Sequence, residues 1–126
     1  VRVSGVKVEV SMKPIEDTLE FIRCKAKEHA EALSQREYLK EFRKSKKCML
    51  INEAELNGLK GAQARECYAY AHDDYVALLD GLKIAIEREC ELRHLIKSAE
   101  LRIEVWRSQG ARERAEMSAY NSKVSM

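Results

Sequence analysis

Proline occurs once in the 126 residues, at Pro14, and aromatic side chains make up only 6%. Without further proline nothing forces a helix to break after residue 14, and so few aromatics imply a thin core. The four cysteines, Cys24, Cys48, Cys67 and Cys90, include no CxxC pair. They therefore lack zinc or redox spacing and read as reduced packing residues. No run approaches the ~20 consecutive apolar residues of a membrane helix, and no charged segment precedes an apolar one as in a secretory signal. A soluble intracellular protein without membrane contact is the expectation. The 23 basic and 21 acidic side chains leave a formal charge of +2, too little to mark a nucleic-acid binder, so a basic site has to arise by clustering.

Charge itself is abundant, at 35% of residues, and together with plentiful Ala, Leu, Glu, Lys and Arg it points to an all-α chain of long helices forming one domain. The opening "VRVSGVKVEVS" differs from the rest. Its valines change parity at Gly5, and within residues 1–13 this leader either forms a strand that pairs with its copy in an oligomer or stays disordered. Pro14 suits a first helical position, with Glu16 and Asp17 in the first turn. A helix over 14–57 follows, and Gly58 is its expected left-handed cap. The tip, 58–73, holds a short helical segment, and Asp73 or Asp74 caps a helix over 74–120. A tail at 122–126 completes the chain.

The second long helix is the most regular stretch. Alternating steps of four and three from Tyr75 pass through Leu78, Leu82, Ala85, Glu89, Leu92, Ile96, Ala99, Ile103, Trp106, Gly110, Glu113 and Met117, a heptad seam of about six repeats. Leu78, Leu82, Leu92, Ile96, Ile103 and Trp106 are its expected core and oligomer contacts. Two matched helices joined by a short connector predict a long antiparallel coiled-coil hairpin. Folding about residue 65 would set Trp106 beside residues 22–26, with the alternative of an exposed stacking indole. The same register would place Arg107, Arg112 and Arg114 near Glu16, Asp17 and Glu20. Further apolar residues at Leu79, Ile86, Leu95, Leu101 and Val105 widen the stripe beyond what one helix covers, so an oligomeric bundle, most simply a dimer, is expected.

No catalytic signature is present. "ELRH" at 91–94 is a lone Glu-x-x-His step where a di-iron bundle needs two, with Glu28 and His29 the only remote complement, and "HDDY" at 72–75 reads as a cap. No nucleophile elbow or phosphate loop appears. The expectation is no enzyme, no metal and no cofactor. The strongest charge feature is "LKEFRKSKKCML", which with Arg36 supplies Arg36, Lys40, Arg43, Lys44, Lys46 and Lys47. Steps of three and four gather most of these on a ridge suited to a phosphate backbone, which Lys83, Arg88 and Arg93 could extend. A solvated helix face is the competing reading, with Glu37 and Glu41 interrupting the ridge. Tyr38, Phe42, Tyr68, Tyr70 and Tyr75 cluster toward the tip, either as core or as base-stacking surfaces.

Three blocks, "REYLKEFRKSKKCMLINEAE", "AQARECYAYAHDDYVALLDGLKIAIE" and "AELRIEVWRSQGARERAEM", resemble small helical accessory proteins of tailed bacteriophages and prophages, whose genes often lie beside early recombination genes. The resemblance spans most of residues 15 to 117 and carries no catalytic motif. It implies a non-enzymatic accessory role near DNA recombination or replication in the host cytoplasm. The partners it implies are self, DNA, and a phage recombinase or host protein. The alternative is an oligomeric coiled-coil interaction module or host-factor inhibitor that binds no nucleic acid.

Overall fold

From Lys13 onward the chain is helical with two interruptions. A computed structural model describes residues 13–125 and gives three helices: α1 over Lys13–Leu56, α2 over Ala62–Ala71 and α3 over Asp73–Val124. The expectations for the valine leader lie, up to residue 12, outside the described residues. Among the described residues there is no strand, and no helix is long and apolar enough to cross a membrane.

The first interruption follows from Gly58, whose φ of 89° is the left-handed conformation that a side chain disfavours. With Asn57 as C-cap, the Leu59 amide donates to the Ala54 carbonyl and the Gly58 amide to the Glu55 carbonyl, both at 3.0 Å, completing a Schellman closure of α1. The second interruption corrects the expected cap. His72, with φ −66° and ψ 138°, takes the N-cap place before α3, and its Nδ1 accepts from the Asp74 amide at 3.0 Å. Asp73 and Asp74 instead occupy the first turn, where their charges complement the helix dipole. At the other end α3 continues to Val124, through most of the expected tail. Ala111, Ala115 and Ala119 favour helix, and no proline stops it.

Contacts divide the chain into two units, one comprising residues up to Ala26 and from His94 on, the other Lys27–Arg93. In the second unit α1 and α3 run antiparallel: Glu28 and His29 pair with Arg88 and Glu89, whereas Lys46, further along α1, pairs with Asp74, further back in the chain. Leu50, Ala69 and Tyr75 form a buried cluster under Ile51, joining all three helices. Burying a side chain such as Leu50 stabilises by about 1.5–3 kcal/mol. Much of the remaining core is alanine, at Ala32, Ala54 and Ala85, beside Leu82 and Leu92. Small side chains let helices approach closely, which gives a core narrow in apolar volume.

In the first unit Ile15, Thr18 and Ala99 are buried. The Thr18 hydroxyl avoids an orphaned donor by bonding the Pro14 carbonyl at 2.8 Å. Leu19 and Ile22 share a groove with Lys97, Leu101, Ile103 and Arg107. The seam positions of α3 divide accordingly: Leu82, Leu92 and Ala99 are buried and Leu78, Ile96 and Ile103 half-buried, whereas Trp106 keeps 37% of its surface exposed. Among the described residues its groove is lined by α3, from Arg107 to Met117, and not by residues 22–26. The register expected from folding about residue 65 is thus wrong here, because Leu19 and Ile22 already lie against residues 97–107. The expected arginine neutralisation fails for the same reason. Glu20 binds Arg23 at 2.6 Å and Arg107 binds Glu104 at 3.0 Å, each within its own helix.

Gly58→Ala, at a left-handed position with open space around it, should cost about 1 kcal/mol through backbone strain alone. Thermal denaturation should show a Tm lower by a few degrees with the helical circular-dichroism spectrum unchanged.

Candidate nucleic-acid interface

Five of the six expected ridge residues line two adjoining grooves of the second unit. Arg36, Lys40 and Arg43 border one with Leu82 and Ile86, of about 340 Å³. Arg43, Lys44 and Lys47 border the other with Tyr70 and Tyr75, of about 280 Å³. Arg43 stands at the junction. The spacing that achieves this is helical: residues 36, 40, 43, 44 and 47 of α1 recur every three or four positions and so share a face. Lys46 falls on another side and pairs with Asp74 at 3.4 Å.

The cations of this face are not equally available. Arg36 is committed twice, through Nη1 to Glu89 Oε1 at 2.8 Å and through Nε and Nη2 to Glu37. Lys47 lies 3.2 Å from Glu66 and 4.8 Å above the Tyr70 ring. Bonds to the Tyr70 hydroxyl and to Glu66 push its pKa up, so it keeps its charge. Lys44 pairs with Glu41 at 3.3 Å across solvent. Exposed pairs of this kind contribute only about 0–1 kcal/mol and exchange readily for another anion. Neither Lys40 nor Arg43 pairs with a carboxylate among the described residues. The suggested extension from α3 is weaker still: Arg88 faces Glu28 at 4.0 Å and Arg93 binds Glu89.

The tip aromatics divide between core and surface. Tyr75 is buried and meets Tyr70 edge-on at 5.4 Å, while Tyr70 keeps 47% of its surface exposed beside the basic groove. Tyr68 donates a short hydrogen bond to Glu53, and that bond raises its pKa. Tyr38 and Phe42 lie parallel, with centroids 5.9 Å apart.

The residue that sequence reasoning missed is Glu89. Its side chain is 3% exposed, yet it is a carboxylate on an apolar seam. His29 donates from Nε2 to its Oε2 at 2.8 Å, Arg93 donates to the same oxygen at 3.1 Å, and Arg36 holds the other oxygen. The bond from His29 holds the Glu89 carboxyl below its ordinary value of 4.5, against the effect of burial, with Arg93 and Arg36 adding to the lowering. A glutamate among Leu82, Ala85 and Leu92 was the visible signal; its partners on α1 were not visible. No protein-family model, curated protein or solved structure matches the chain.

Since folding lowers the Glu89 pKa, its ionised form stabilises the fold above about pH 4.5, and this contribution fades as pH falls through the lowered folded value. Glu89→Gln should therefore lower Tm at neutral pH, and its deficit against wild type should shrink on acidification below about pH 4.5. Parallel Tm–pH curves for the two proteins would contradict this assignment.

Proposed function

We propose that the protein is a non-enzymatic accessory factor that binds nucleic acid through the Lys40, Arg43, Lys44 and Lys47 face of α1. The observation that carries this reading is the convergence of these four cations on two grooves that share Arg43, with Tyr70 exposed at the edge. A phosphate backbone needs a row of cations whose neutralising partners are absent or easily displaced. Lys40 and Arg43 fit the first description, Lys44 and Lys47 the second. Arg36 is excluded from the contact set because the seam carboxylate of Glu89 holds it. The setting proposed for such binding, taken from the resemblance to phage accessory proteins, is recombination or replication within a host cytoplasm, beside a recombinase or host protein. Nothing in the grooves requires a metal or a cofactor.

A second reading, an interaction module that binds no nucleic acid, is favoured by a separate observation: α3 exposes Trp106, Met117, Tyr120 and Val124.

Four phosphate contacts predict a log–log salt slope of about −3.6 for duplex and about −2.8 for single-stranded DNA. Gel-shift titrations across salt should give these slopes, and Arg43→Glu with Lys44→Glu should abolish binding while leaving Tm within a few degrees of wild type. No shift at low salt for either strand form would remove the nucleic-acid reading and leave the interaction module.

A further inference from the structure

The four-and-three spacing of α3 does not stop at Ile103, which shares a groove with Leu19 and Ile22 of α1. It continues through Trp106, Gly110, Glu113, Met117, Tyr120 and Val124, all within the same uninterrupted helix. Earlier positions of the spacing are covered, as Ala99 is in this unit. From Trp106 on they are not: Trp106 is 37% exposed, Met117 60%, Tyr120 64% and Val124 64%. Among the described residues, the groove beside them is bordered by α3 alone. An aqueous stripe of Trp, Met, Tyr and Val at heptad spacing is a coiled-coil surface without its partner helix.

We propose that this face, from Trp106 to Val124, pairs with the same face of a second copy of the chain. Two features commit the occupant. The stripe is continuous in register with the α1–α3 interface of the same unit, so whatever covers it is a helix presenting the same kind of seam. The stripe is also its own complement in size. With two copies antiparallel about a twofold axis near Ala115, Trp106 of each meets Val124 of the other, Gly110 meets Tyr120, and Glu113 meets Met117. Large side chains thus face small or flexible ones in every layer. Gly110 leaves a site that, among the described residues, only the guanidinium end of Arg114 on the same helix approaches, 3.3 Å from a Cβ built there; that flexible end swings aside to admit Tyr120. The contact is isologous and closed, so it yields a dimer and not a filament. At 1.5 Å per residue it extends about 27 Å.

Trp106 is the single tryptophan of the chain, so its fluorescence reads this face directly. Sedimentation velocity and tryptophan emission of the full chain, followed across a dilution series, should show a dimer with blue-shifted emission that dissociates to a monomer with red-shifted emission. Tyr120→Arg and, separately, Met117→Glu should raise the dimer dissociation constant by at least about tenfold, with helical circular dichroism retained. Three results overturn the proposal. One is a monomer with red-shifted emission at every concentration. Another is a monomer whose emission is blue-shifted regardless of dilution, which means the same chain covers its own indole. The third is a dimer indifferent to both substitutions, which places the interface elsewhere.

Discussion

A buried carboxylate holds α1 to α3 in the second unit. Glu89 lies on the apolar seam of α3, where its ionised form would be unfavourable without partners, and α1 supplies two of them, His29 and Arg36. Apolar layers of Ala and Leu tolerate a slip of one helix along the other, since one layer resembles the next. A carboxylate that must meet an imidazole and a guanidinium tolerates none, because a slip by one turn would strand the charge. The polar cluster thus selects a register that the alanine-rich layers around it leave weakly defined.

That selection shapes the surface. Arg36 begins the basic ridge by sequence position, but its guanidinium turns to Glu89 and Glu37, and the face proposed to bind anions shifts toward the tip, from Lys40 to Lys47. There it meets α2, which contributes Tyr70, and the first turn of α3, which contributes Tyr75. Basic groove and aromatic edge therefore come together only because α2 folds back over α1 at the Leu50, Ala69 and Tyr75 cluster. Thin packing and an exposed cationic face have one origin: a chain with many charges and few large apolar groups must build its contacts from small residues and specific polar bonds.

Much of this was legible beforehand. The three helices, the Gly58 closure and the seam positions at Leu82, Leu92 and Ala99 follow from periodicity and from the φ > 0 requirement, which are local properties. The departures have both local and distant causes. His72 displaced Asp73 as the cap because an imidazole nitrogen can accept from the helix amide as an Asp oxygen does. Folding the chain at residue 65 matches Trp106 to residues 22–26, whereas the closure at Gly58 moves the turn toward the N-terminus, and among the described residues the indole's groove is lined by α3 alone. Arg36 belongs to the ridge by spacing, and its commitment to Glu89 does not show because a sequence lists charges without their partners.

The sequence by itself determined which segments are helical, where α1 stops and which side chains recur along the α3 seam, because each depends on residues within a few positions of one another. Only the tertiary structure decided which cations remain available, which carboxylate is buried and where the seam loses its cover. Those outcomes depend on the alignment of two helices whose contacting residues lie some 50 or 60 positions apart, as His29 and Glu89 do, and alignment is set by the sum of contacts across both surfaces, which no local pattern contains.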